Sequence, residues 1–142
     1  MIACAPPLRG GDATHPGKEL SAHDWQLSEA RDAQGKRIDE LLVRPAHPLT
    51  LNFDDGYISV RNSCNSIGGA YRVKEDRLIL DDLVQTLAAC LDPAMAALDP
   101  AITRRIQPSV AFRLRSTPPT LTLITVDGDV MTFAGVAKKG RP

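Results

Sequence analysis

The sequence has few aromatic residues: Phe, Tyr and Trp make up 4% of its 142 residues. That leaves little from which to build a base-stacking platform. It has no excess of charge either, because 17 Lys and Arg offset 17 Asp and Glu. A dedicated nucleic-acid surface would want a basic stripe, so nucleic acid is not expected as a partner. No apolar run approaches the roughly 18 residues of a membrane span. There are only three histidines. The three cysteines, Cys4, Cys64 and Cys90, lack the paired C-x-x-C spacing of a zinc site. No Walker loop, dinucleotide fingerprint, Gly-x-Ser-x-Gly or His-Glu-x-x-His is present. No metal site and no cofactor are expected.

What is present is ordinary for a globular protein, at 43% hydrophobic and 24% charged residues. The length fits one domain with a modest core. Eleven prolines and ten glycines cut the chain into short segments, which favours strands over long helices. Trp25 and Leu27 alternate with polar residues as on a half-buried strand, and Trp25, the only tryptophan, is expected in the core. Ile38 to Pro48 has no clear period and is expected to be irregular, with at most a short edge strand; His47 reads as a loop residue. Leu49–Phe53 alternates, Asp54-Asp55-Gly56 turns, and Tyr57–Val60 returns. Ala70–Val73 and Arg77–Leu80 flank a turn at Lys74-Glu75-Asp76. Between these hairpins, Gly68-Gly69 is expected to form a bulge or tight loop. Val110–Leu114, and Thr120–Val126 with Asp129–Phe133 around Asp127-Gly128, supply the last strands.

Asp92-Pro93 and Asp99-Pro100 each place an N-cap residue before a proline suited to the first helical position. Leu91, Met95, Leu98, Ile102 and Ile106 form one apolar stripe at helical spacing. A helix from Pro93 to Ile106, kinked or restarted at Pro100, is expected with its stripe in the core. Several antiparallel strands interrupted by one helix make an α+β domain. The acidic pairs Asp54-Asp55, Asp81-Asp82 and Asp127 with Asp129 sit at turns or strand ends, where Asp favours local backbone bonds over acid–base or metal chemistry.

One stretch is more specific. Cys64-Asn65 is followed by Gly69-Ala70-Tyr71 and then by Thr86-Leu87-Ala88-Ala89-Cys90. With an early W-x-L at Trp25, this resembles the META domain, the family that includes the HslJ heat-shock lipoproteins. The resemblance covers roughly Asp24 to Phe133, and its motif positions here are Trp25, Cys64, Asn65, Gly69, Tyr71, Thr86 and Cys90. It implies a strongly curved, open barrel-like antiparallel sheet with one main helix packed on its concave face. It places a strand through Val84 and Thr86, although Leu83, Leu87 and Leu91 are spaced four apart as in a helix; a helical turn is expected after Thr86. It gives no reaction, no catalytic residues and no ligand. The chain departs from the family pattern in two places. Arg61 stands within Val60–Ser63 where glycines are usual, and Ala97 replaces a commonly acidic helix residue, removing a polar group. Asn65 is expected to cap the loop after Cys64, since Asn tolerates left-handed backbone angles.

The two family cysteines leave three readings open. In an oxidising envelope Cys64 and Cys90 would pair, and closing a loop of about 26 residues would stabilise the fold by roughly 3 kcal/mol. They could instead be buried free thiols. A nucleophilic thiol would need a base, and His15, His23 and His47 supply no evident one.

Met1-Ile2-Ala3-Cys4 looks like the end of a bacterial lipoprotein signal, with Cys4 as the lipidation site and the upstream signal missing. Residues 1–20 read as a disordered tether, 21–137 as the domain and 138–142 as a frayed tail. The expectation is therefore a monomeric, non-enzymatic protein of the cell envelope, held on the periplasmic side of the outer membrane only by lipid. It would act as a stress or stability accessory with an envelope protein or a small ligand as partner. A small-ligand or inhibitor module using the open end of the curved sheet is the first alternative. A cysteine-dependent enzyme is the second.

Overall fold

The Asp-Gly signal is where the sheet starts to organise. Asp55 (φ 52°) and Gly56 (φ 78°) both take left-handed angles. Two such residues in succession are what a tight hairpin turn matching strand twist demands. They join β2 (Thr50–Asp54) to β3 (Tyr57–Arg61). A computed structural model describes residues 16–138. In it ten strands form one antiparallel, strongly curled half-barrel sheet. The remaining strands are β1 (Asp24–Arg31), β4 (Ile67–Ala70), β5 (Arg72–Lys74), β6 (Arg77–Ile79), β7 (Val84–Gln85), β8 (Ser109–Ser116), β9 (Pro119–Ile124) and β10 (Val130–Val136). Their order across the sheet is β5-β6-β8-β9-β10-β1-β2-β3-β4-β7. The cationic β5 and the two-residue β7 form the edges, and charge or shortness discourages further strand addition there.

Two α-helices are present among the described residues. α1 (Pro16–Ser21) was expected to lie in the tether, yet Leu20 is fully buried and Trp25 Nε1 donates to its carbonyl at 2.8 Å. One apolar side chain and one buried indole bond suffice to dock this turn, which composition alone could not reveal. α2 (Pro93–Ile106) has the expected bounds and forms the single main helix of the α+β fold. Asp92 caps it, its side chain accepting from Ala94 N at 2.9 Å. Pro100 lies inside an uninterrupted helix. Leu98, Ile102 and Ile106 of the apolar stripe enter the core with Trp25, Phe53 and Phe133, while Leu91 is fully exposed.

Three local expectations are corrected. Gly68-Gly69 belongs to β4 rather than to a loop. What glycine provides there is close approach: a Cβ on Gly69 would stand 2.7 Å from the Asp82 carbonyl, and one on Gly68 would stand 3.1 Å from the Tyr57 ring. The bulge falls instead in β1, where pairing with β10 shifts between Leu27 and Glu29. No helical turn follows Thr86; residues 86–90 carry no regular secondary structure and Leu87 is 91% exposed. Their period of four is therefore not a packed face. The 37–49 connection is irregular as expected, with one 3-10 turn at Asp39–Leu41 and a single bridge between Arg31 and Arg37.

Glu40 on that turn accepts from Arg104 at 2.7 Å and Arg105 at 2.9 Å, and Arg105 also bonds Asp129 at 2.9 Å. Burial pushes the Glu40 carboxyl up, but hydrogen bonds and charge from Arg105 and Arg104 outweigh it and hold the group below its ordinary 4.5.

Two predictions follow from these contacts. Trp25→Phe keeps the ring's bulk but removes the bond to Leu20. It should cost about 1–2 kcal/mol in urea unfolding and speed tryptic cleavage at the exposed Lys18. A lowered folded pKa gives stability that is present at neutral pH and lost as pH falls through the folded value. Glu40→Gln should therefore flatten the loss of melting temperature below pH 4.5.

Candidate functional site

Four of the family-motif residues, Cys64, Asn65, Thr86 and Cys90, are brought together beside α2. Cys64 and Cys90 are joined by a disulfide, with alpha carbons 6.1 Å apart and 26 residues between them along the chain. The bond is the first of the three thiol readings. It leaves neither sulfur free as a nucleophile. The two described histidines are placed elsewhere: His23 packs edge-on against Trp25, and His47 lines a groove described below, while His15 lies outside the described residues.

Asn65 is the hub. Its Oδ1 accepts from Ala88 N at 2.7 Å and from the Thr86 hydroxyl at 2.8 Å, and its Nδ2 donates to the Ala88 carbonyl at 3.2 Å. Thr86 Oγ1 in turn accepts from Ser66 N at 3.2 Å. Asn65 was expected to cap its own loop in a left-handed conformation. The left-handed residue is instead Asn62 (φ 69°), whose Nδ2 also donates to the Pro48 carbonyl at 2.9 Å. Asn62 thus answers the missing glycines of Val60–Ser63, because Asn tolerates that region better than most residues.

Sequence reasoning missed the residue beneath the hub. Asp99 is 3% exposed, and its carboxylate accepts from Cys64 N at 3.0 Å, Asn65 N at 3.1 Å and Asn65 Nδ2 at 2.8 Å. It had been expected to cap a helix restart, but α2 does not restart. Its carboxylate serves the Cys64-Asn65 loop, while its carbonyl accepts from the Thr103 hydroxyl at 2.9 Å. Ala97, read as a lost acidic position, is exposed, and the polar group this helix offers to the Cys64-Asn65 loop is Asp99. One available signal was that Asp99 sits beside Leu98 and three residues before Ile102 in the apolar stripe. On a continuous helix that position faces inward.

Of the other motif residues, Trp25 is in the core, Tyr71 stacks edge-on against Phe53 at 5.1 Å, and Gly69 lies under Asp82. Burial raises the Tyr71 phenol above its ordinary value. Cys4 and the rest of residues 1–15 lie outside the described residues, as do 139–142. Among the described residues, no three His, Cys, Asp or Glu side chains are placed to hold a metal ion, and no helix is long and apolar enough to cross a membrane. Of the acidic pairs, Asp81 meets Arg72 at 3.4 Å, and Asp129 meets Arg105 as noted above.

A groove of about 650 Å³ lies between β1, the 37–49 connection and α2. Its floor includes Leu27, Leu49 and Leu98, and its walls carry Arg31, Arg37 and Arg44. The β1 bulge shapes it: Ser28 and Glu29 are consecutive exposed residues, so Glu29 and Arg31 share the groove side.

A model of the META domain family matches residues 18–138. An NMR structure of a protein from Burkholderia xenovorans is similar at 23% identity and TM-score 0.70, over 97% of this chain and 96% of that one. A second NMR structure is similar at 22% identity and TM-score 0.60, over 83% and 92%. Both likenesses concern the fold. No curated protein matches the chain.

The Asp99 network predicts a graded mutant series. Asp99→Asn sets an NH₂ donor against backbone N–H donors and should cost about 2–4 kcal/mol in urea unfolding. Thr86→Val, at an exposed member of the network, should cost about 1 kcal/mol. Equal losses at the two positions would contradict the assignment of Asp99 as the buried anchor.

Proposed function

This chain belongs to the META domain family, and we propose that it is a non-enzymatic protein of the cell envelope. In this reading it sits on the periplasmic side, tethered by lipid at Cys4, and supports envelope stability under stress. The observation that carries the reading is the Cys64–Cys90 disulfide, set within the Asn65–Asp99 network. Disulfides persist in oxidising compartments and are rare in reducing ones. In the chain-entropy model, closing a loop of this length contributes about 3 kcal/mol, a large share of the total stability of about 5–15 kcal/mol usual for a domain. Both thiols of the family motif are committed to that bond, which supports a structural role for the motif over a catalytic one.

A second reading, a small-ligand binding module, is favoured by one observation: the groove between β1, the 37–49 connection and α2. Its volume of about 650 Å³ lies within the roughly 300–1,000 Å³ usual for ligand pockets.

The first test is the intact mass of the protein isolated from its host's membrane fraction. Loss of Met1 to Ala3, added lipid and two missing hydrogens are expected. A soluble, unlipidated chain with three free thiols would overturn the envelope reading.

A further inference from the structure

We propose that this groove binds a small organic carboxylate with an apolar body, and that Arg44 holds the carboxylate. The proposal rests on the binding-module reading and names its ligand class.

Arg44 differs from the other groove arginines. Arg31 is engaged by Glu29 and donates to the Gly35 carbonyl at 3.0 Å, and Arg37 pairs with Asp39 at 3.0 Å. Arg44 is half-buried, and among the described residues its guanidinium has one hydrogen-bond partner, the Met95 sulfur, 4.0 Å from Nη1. A thioether is a weak acceptor, whereas a guanidinium presents five N–H donors. Among the described residues no carboxylate lies within ion-pair distance of Arg44. A partly desolvated cation without an anion is unfavourable, and its planar fork matches a carboxylate in bidentate fashion.

The rest of the groove has the same sign. Glu29 is its one acid and is already bonded to Arg31. An anion therefore enters without facing an unneutralised carboxylate, while a cation would meet the Arg44 guanidinium. Below the cations, Leu27, Leu42, Leu49 and Leu98 provide an apolar floor for a hydrocarbon or aromatic body. An orienting charge above an apolar floor is the usual division of labour in small-ligand sites.

The test uses octanoate and its uncharged counterpart 1-octanol as probes, titrated at neutral pH into the full chain and followed by backbone amide shifts in NMR. Octanoate should perturb Leu42 and Leu49 and bind on the order of tenfold or more tightly than 1-octanol, the size expected for a charge-assisted bidentate contact. Arg44→Met, which keeps contact with Met95, should weaken octanoate by a similar factor, and Arg44→Lys should retain part of the affinity. Equal binding of octanoate and 1-octanol would overturn the carboxylate assignment while leaving a ligand-binding groove. No shift from either probe would overturn both. If Arg44→Met fails to fold, the comparison of the two probes on the unaltered chain still decides.

Discussion

A buried carboxylate with no cation beside it among the described residues is the constraint on which this part of the molecule depends. Asp99 sits inside α2, away from water, and must find donors or destabilise the fold. It finds them in the backbone of Cys64 and Asn65 and in the Asn65 amide. Because the helix is fixed by Leu98, Ile102 and Ile106 in the core, the loop that supplies those donors is fixed with it. Asn65 then transfers the constraint to Thr86 and Ala88. The disulfide ties Cys90 to the same loop. The two devices act on different states: the carboxylate network lowers the free energy of the folded loop, while the crosslink mainly restricts the unfolded chain. Neither substitutes for the other, which is a physical reason for both to occur at one place.

The segment from Val84 to Leu91 shows what that arrangement achieves. Val84, Leu87 and Leu91 are exposed, so apolar burial contributes almost nothing to holding it. β7 is only two residues long and pairs on one side only. The segment is held in place because its backbone is bonded to the Asn65 side chain and its end is crosslinked. A segment held by polar bonds at a sheet edge depends on each of those bonds more than a core strand does on any one contact.

That dependence also explains which features could be read from the sequence. The hairpin at Asp55-Gly56, the alternating strands and the bounds of α2 follow from local rules, and local rules hold where packing agrees with them. The misread positions are those where a distant partner decides. Gly68-Gly69 has the composition of a turn, but what excludes larger residues is the Asp82 carbonyl and the Tyr57 ring. Leu83, Leu87 and Leu91 repeat like a helix in a segment whose conformation is set by Asn65. Asp99-Pro100 has the form of a helix start, yet a buried loop claims the carboxylate. Leu20 lies in a polar stretch and is drawn into the core by one tryptophan bond. In each case the deciding atom belongs to another part of the chain.

The groove shows the same limit for charge. A net charge of zero argues against an extended basic surface, but it says nothing about where the charges fall. The bulge in β1 turns Glu29 and Arg31 to one side, and the irregular 37–49 connection adds Arg37, Arg44 and His47. Its acids lie elsewhere: Asp39 pairs outward with Arg37, and Glu40 reaches Arg104 and Arg105 on α2. The Glu40 contact does two things at once. It anchors the groove wall to the helix, and it engages that carboxylate with two arginines outside the groove. The local positive charge of the groove is therefore a product of the fold, assembled from a chain whose overall charge is balanced.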